Sequence, residues 1–261
     1  MDAEGAVLSD GRVVTQDTLV EGTHFRLEWT SWRDLGYKAA AVNLSDLAAM
    51  GAEPEALLVS LGLRPVEEAD NVFELYEGMK EGAVPVLGGD TVSAEAVVVT
   101  VTAVGRSERV PGRAGARPGD VVVVTGPLGG AAAGLHALRN GLGGLDELVA
   151  RHRRPPLRIA EGRGLARVAH AMVDLSDGIG ADAARIAERS GCAIEIDVER
   201  VPKAAGIERA GDLPFWTMGE DYELLAALTP EDARETGFAV VGECRKGAGV
   251  EPAGLGGWRA F

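Results

Sequence analysis

At 261 residues, with 46% of them hydrophobic, the chain has enough apolar material for one large buried core or two of ordinary size. Forty acidic residues against 26 basic ones leave a net charge of −14, which argues against a nucleic-acid partner held by clustered Lys and Arg. No apolar run approaches the roughly 20 residues that span a bilayer, and Met1-Asp2-Ala3-Glu4-Gly5 lacks the basic and apolar parts of a secretory signal, so no membrane partner and a cytoplasmic location are expected.

In chain order, the first strong element is a predicted helix over residues 35–50. The stretch is rich in Ala and Leu, Asp34 can cap its start and Gly51 can end it. Asp46 then falls in the last turns, where the helix dipole disfavours a carboxylate and a nearby cation would remove the penalty. The apolar run 84–87 predicts a strand with Gly88-Gly89-Asp90 at its carboxyl end, where ligands of α/β folds collect. Residues 96–104 are β-branched with Thr at alternate places, as expected of a strand with one drier face.

Around 112–119 the chain turns rich in Gly, Pro and Arg, which places a domain boundary between 1–112 and 113–261. Beyond it, valines 121–124 predict a strand, 129–140 a helix ended by Gly141, and 181–190 a helix ended by Gly191. Strands alternate with helices in both halves, so two mixed α/β domains are expected. The Gly-rich end, 247–257, reads as a loop pinned by Trp258 and Phe261. Cys192 and Cys244 lack metal-ligand spacing and read as buried thiols.

Chemistry concentrates in five acidic motifs: Gln16-Asp17-Thr18, Asn43-Leu44-Ser45-Asp46, Gly88-Gly89-Asp90-Thr91, Asp174-Leu175-Ser176-Asp177-Gly178 and Gly219-Glu220-Asp221-Tyr222. Carboxylates that converge repel one another and lose solvation, so convergence calls for cations between them; Mg²⁺ with a polyphosphate meets that demand. Each motif alone has a plainer account. Gly88-Gly89 can be a tight turn, Ser176 or Asp177 a helix N-cap, His24 a structural histidine, and Arg109 and Arg113 solvated loop charges. Those arginines, on a Gly-rich linker, also suit a triphosphate clamp. A Walker A loop and a kinase Gly-rich loop are both missing from the sequence.

The ordered set resembles the thiamine-monophosphate kinase family, of the superfamily that includes aminoimidazole ribonucleotide synthetase and selenophosphate synthetase. The pieces that carry the resemblance also include the stretch from Asp17 to Phe25, Gly36 to Ala52, and Arg151-His152-Arg153-Arg154-Pro155-Pro156. It implies ATP-dependent phosphorylation of thiamine monophosphate by in-line transfer with several Mg²⁺ ions, and it leaves a monovalent-cation requirement open. It also implies a homodimer whose N-terminal domains share a β-barrel-like interface. Carried over by motif, Thr15, Gln16, Asp17, Asp46, Asp90, Asp174 and Asp177 look like metal-binding positions. Gly89, Asp90, Arg113 and Ser176 look like the ATP-binding set, and His24, Glu220 and Trp258 like substrate-binding positions.

Three departures stand out. Gln16 occupies a position where the family has Ser or Thr, which leaves its backbone carbonyl as the metal ligand. Before the Asp17 region the family carries a Gly-x-Gly-Asp-Asp motif where this chain has only residues 2–8; the expectation is a truncated start or a partly lost nucleotide site, with Glu4 or Asp2 standing in for an aspartate. The aromatics that precede Gly-Gly-Asp in the family are missing from 82–85. The rival expectations are another ATP-using enzyme of the superfamily and a non-catalytic nucleotide- or metal-binding relative.

Overall fold

The computed structural model describes residues 3–257. The first half contains β1 (Ala6–Val7), β2 (Arg12–Val20), α1 (Trp32–Ala49), β3 (Glu53–Leu63), α2 (Ala69–Lys80), β4 (Val86–Ser93) and β5 (Val98–Arg106). Its five strands form one mixed sheet in the order β1-β2-β5-β3-β4, with β3 and β4 parallel and the other neighbours antiparallel. Strand alternation sorts the faces. Val13, Leu19, Val99, Val101 and Val59 turn inward onto α1 and α2, while Gln16, Thr18, Thr100 and Thr102 line the other face.

The second half contains β6 (Val121–Val124), α3 (Gly130–Asn140), α4 (Asp146–Arg153), α5 (Ile159–Leu165), β7 (Ala171–Asp174), α6 (Ile179–Ser190), β8 (Ala193–Ile196), β9 (Leu224–Leu228), α7 (Pro230–Thr236), β10 (Ala239–Arg245) and β11 (Gly249–Glu251). These strands order as β11-β8-β10-β6-β9-β7. β6 is central and buried on both faces: Val122 and Val124 pack toward Ile179, Ala183 and Ile186 of α6, whereas Val123 packs toward Leu165, Met172, Ala48 and Ala49. A continuous valine run is what such a doubly covered strand requires.

α1 is the shared member of both halves. Its first turns pack on α2 and the first sheet, and its last turn reaches the core of the second. That explains its composition, for a helix covered all round has no polar face to offer water. Close approach to α2 depends on Gly36 and Gly78, where an added Cβ would stand 1.8 Å from the carbonyl oxygens of Leu75 and Arg33 respectively. The halves are also tied by Tyr37, whose hydroxyl donates to Pro155 O at 3.0 Å, and by Arg154, which stacks 4.1 Å from the Tyr37 ring centroid and pairs with Asp34 and Glu81.

Four expectations need correction. The N-cap of α1 is Ser31, not Asp34; Ser31 Oγ accepts from Asp34 N at 3.0 Å and donates to its carboxylate at 2.9 Å, a reciprocal cap one turn earlier than expected. Gly88, Gly89 and Asp90 lie within β4, not beyond its end. Pairing slips between Leu57 and Leu58 of β3, and Gly89 then runs so close to β3 that a Cβ would stand 1.7 Å from Val59 O. α6 begins at Gly178 without a side-chain cap; instead Asp182, one turn inside, accepts from the backbone N–H groups of Asp177 and Gly178, each at 3.0 Å. The Gly-rich end contributes β11, which pairs with β8, and the expected pins Trp258 and Phe261 lie outside the described residues. Cys192 and Cys244 are buried and free, and no described helix is long and apolar enough to cross a membrane.

Candidate active site

The site forms where α1, β2, the end of β7 and the linker between the halves meet. Thr15, buried on the helix-facing side of β2, donates its hydroxyl to Asp46 of α1, and Asn43, one turn earlier, accepts from Asp17 N at 3.0 Å. Ser45 donates to Asp174 Oδ2 at 2.7 Å. Helix periodicity cannot put Ser45 and Asp46 on one line, so adjacent residues on α1 serve different walls: Asp46 meets β2, and Ser45 meets β7.

Glu4 completes the cluster. Carboxylate oxygens of Glu4, Asp46 and Asp174 all lie within 4.8 Å of one another, and Arg113 of the linker forms a two-pronged ion pair with Glu4. Burial raises the pKa of Asp174 well above the carboxylate range, with Asp46 and Glu4 adding to the effect, and raises that of Asp46, with Asp17 adding. Asp17 reaches solvent but sits low in the recess; desolvation raises its pKa, His24 opposes, and Glu4 and Asp177 reinforce the rise. Such a set binds protons or a cation, and three hard oxygen donors at this spacing fit a divalent metal such as Mg²⁺.

The second wall comes from the segment after Gly219. Backbone bonds from Glu220 N to Ser176 O (2.9 Å) and Tyr222 N to Leu175 O (3.0 Å) lay it alongside the Asp174–Gly178 turn. The approach is tight, since a Cβ on Gly178 would stand 2.2 Å from Thr217 O and one on Gly219 would stand 2.5 Å from Ser176 O. Glu220 and Tyr222 both take left-handed backbone angles, φ +60° and +50°, a strain that non-glycine residues carry where a site demands it. The Tyr222 phenol is pushed well up, first by burial and then by the charges of Glu220, Asp17, Asp174 and Asp46. Asp221 turns the other way and accepts from Gly129 N at 2.8 Å at the start of α3.

Other sequence-derived positions fall around this recess or away from it. His24 follows β2 in a turn, with Nδ1 accepting from Val20 N at 3.0 Å, so Nε2 carries the proton of the neutral ring. Asp177 is paired with Arg185, which also holds Asp182. Ser176 is half-buried in the turn. Gln16 points to the opposite sheet face, where its Oε1 accepts from Thr102 at 2.8 Å, so only its backbone is on the site side of β2.

Gly89 and Asp90 do not join the cluster within one chain. Register aligns Asp17, Val101, Val59 and Gly89 across the sheet, three strand spacings in all, or about 14 Å along a flat sheet. Arg109 is structural: it donates to Ala166 O and, at 2.7 Å, to Ala169 O. Trp258 and Asp2 lie outside the described residues.

Sequence reasoning missed Asn43 and Ser45 as connectors, and Lys38 and His152, which flank Glu220. Lys38 had a signal: a basic residue in the Ala- and Leu-rich part of α1, seven residues before Ser45 and so on the same face. His152 had none beyond its place in the Arg151–Pro156 stretch.

Comparison with known proteins bears on the family and the fold. The model of the AIR synthase related protein N-terminal domain matches residues 2–107, and that of the C-terminal domain matches residues 117–249. Thiamine-monophosphate kinase from Methanopyrus kandleri is 38% identical, covering 95% of this chain and 84% of its own; that from Mycobacterium tuberculosis is also 38% identical, covering 100% and 84%. The chain belongs to the thiamine-monophosphate kinase family. A solved member of that family from Aquifex aeolicus superimposes with a TM-score of 0.87 at 33% identity, over 95% of this chain and 90% of that one. The structure described as AaThiL complexed with AMPPCP and TMP has a TM-score of 0.90 at 34% identity, over 96% and 87%. The expected fold, mixed α/β in two domains, is therefore the family's own.

Proposed function

We infer that this chain transfers the γ-phosphoryl group of ATP to thiamine monophosphate, giving thiamine diphosphate and ADP. The observation that carries the inference is the cluster of Glu4, Asp46 and Asp174, three carboxylates that fit a divalent cation, in a chain of this family. An oxygen of the substrate phosphate attacks the γ-phosphorus, and the bond to the ADP oxygen breaks. The nucleophile is already ionised at neutral pH, so no side chain need remove a proton. Bound Mg²⁺ ions would neutralise the two phosphate groups and hold them in line.

The chain's own residues divide the remaining work. Thr15 and Asn43 fix β2 against α1, which sets the spacing between Asp17 and Asp46; Ser45 orients Asp174. Together with the Gln16 backbone carbonyl and Asp177, these acids form the proposed metal set. Arg113 and Ser176 bind the nucleotide phosphates, with Arg113 exchanging its present partner Glu4 for them. His24 and Glu220 receive the thiamine end, joined by Trp258, and the thiazolium cation matches the Glu220 carboxylate.

Gly89 and Asp90 enter the site from a second copy of the chain. The sheet face opposite the helices leaves Leu58, Leu87 and Val92 exposed at 45%, 70% and 54%, apolar area that a homodimer would cover. We place the functional boundary between residues 112 and 113 and the enzyme in the cytoplasm. A Mg²⁺-dependent assay for thiamine diphosphate, with ADP measured alongside, tests the reaction. Stoichiometric production of both is expected; ADP without thiamine diphosphate would point to another acceptor, and neither product would leave a binding protein.

A further inference from the structure

Glu220 meets two buried basic groups at one carboxylate oxygen, Oε2. Lys38 Nζ of α1 lies 3.1 Å from Oε2, and His152 Nδ1 of α4 lies 3.2 Å from the same atom. The Lys38 and His152 side chains are 5% and 7% exposed, against 33% for Glu220. Among the described residues His152 Nδ1 has no hydrogen-bond partner, its approach to Glu220 being too oblique for one. A buried ammonium loses its hydration, and Glu220 supplies the opposite charge that Lys38 needs there.

We propose that Lys38 and His152 are positioning residues that capture Glu220 Oε2 from below, so that Oε1 alone is presented to the organic cation of the thiamine substrate. The inference rests on the substrate role of Glu220 given above. Lys38 balances charge on the Oε2 side, which makes Glu220 an acceptor directed toward the cation through Oε1. Lys38 and Asp46 are eight residues apart on one rigid helix, about 12 Å along its axis. α1 therefore sets the distance between the cation end and the phosphate end of the recess. The left-handed backbone at Glu220 keeps the side chain aimed at this pair.

The groups facing Glu220 are Lys38 from α1, His152 from α4 and the Tyr222 phenol from its own segment, with Arg153 acting on His152 in turn. Lys38→Met, Lys38→Arg, His152→Gln, Glu220→Gln and the double variant Lys38→Met/Glu220→Gln make the test. Two quantities are read: calorimetric affinity for thiamine monophosphate with Mg²⁺, and the Glu220 carboxyl titration followed by ¹³C NMR. Lys38→Met should weaken thiamine monophosphate about tenfold or more, leave the KM for ATP near wild type, and raise the Glu220 midpoint by over about one pH unit. Lys38→Arg should recover most of both, and His152→Gln should shift both in the same direction by less.

In the Glu220→Gln background, Lys38→Met should cost nothing more. An equal loss in both backgrounds, or an unmoved Glu220 midpoint in Lys38→Met, would overturn the proposal. Should Lys38→Met fail to fold, an unmoved midpoint in His152→Gln together with unchanged affinity would do the same. If Glu220→Gln binds thiamine monophosphate as wild type does, the substrate role of Glu220 fails separately, and the NMR midpoint still decides who holds the carboxyl.

Discussion

Ser45 Oγ donates to Asp174 Oδ2 across 2.7 Å, joining the helix of the first half to the last residue of β7 in the second. Both groups are buried, so Ser45→Ala removes a hydroxyl placed to orient that carboxylate. A loss of about 1–3 kcal/mol in stability is expected for a buried acceptor left short of a partner. Mg²⁺ should restore part of it. Chemical denaturation with and without Mg²⁺ measures both, and a stability equal to wild type would remove Ser45 from the site's framework.

Gly36→Ala sets two effects against each other. Helix propensity favours Ala by about 1 kcal/mol, but the new methyl would occupy the space of Leu75 O, 1.8 Å away. Overpacking typically costs about 1–3 kcal/mol, and here the obstacle is backbone, so destabilisation should win. A melting temperature at or above wild type would show that α1 and α2 can part without penalty.

Burial raises the carboxyl pKa values of Asp46 and Asp174, so the fold holds their protons more tightly than the unfolded chain does. The sign follows from linkage: stability from this source is complete below the unfolded carboxyl range and is lost as pH rises through the folded values. Without metal the protein should therefore lose melting temperature from acid toward alkaline pH, and Mg²⁺ should restore more at pH about 8 than at pH about 5.5. Calorimetry in buffers of different ionisation enthalpy should detect proton release on Mg²⁺ binding. Identical apparent enthalpies in all buffers would contradict the raised pKa values.

Asp46→Asn and Asp90→Asn should each abolish most turnover without unfolding the chain, because each removes charge and not packing. The register separates Asp90 from the cluster within one chain, so the two variants should complement when mixed. Half the dimers would be mixed, each with one intact site, giving about a quarter of wild-type activity. No recovery after subunit exchange would mean that Asp90 serves its own chain's site or none.

His24→Ala should mainly raise the KM for thiamine monophosphate, since the ring is held by Val20 N through Nδ1 and leaves Nε2–H free to donate. Arg113→Ala should mainly raise the KM for ATP. Unchanged constants for His24→Ala would return that ring to a structural part in its turn.

Particular residues explain what the sequence made legible. Valines 121–124, the Gly141 and Gly191 helix stops, and the Ala-rich α1 follow from local rules that tertiary contacts did not override. Gly88-Gly89 misled because a turn and a bulged strand place the same demand on glycine, and only the neighbouring Val59 carbonyl distinguishes them. The Asp182 bond to the α6 start was hidden for a similar reason: the acceptor lies inside the helix, where caps are not sought. Convergence of Asp46 with Asp174 was legible only as a motif order, because no local pattern says that α1 lies between two sheets. Lys38 and His152 were missed because their partner Glu220 is distant in sequence from both.

The guanidinium of Arg113 now occupies the rim of a negatively charged recess, satisfied by Glu4. With Arg113 in its proposed nucleotide-binding role, ligand entry would be a swap of electrical partners and not simple filling: whatever frees Arg113 must leave Glu4 compensated at the same moment. A nucleotide arriving with its own divalent ions satisfies both sides of that exchange, whereas one arriving bare would strand a carboxylate in a dry cleft. Discrimination between the two would then be written into the resting state, before any chemistry begins.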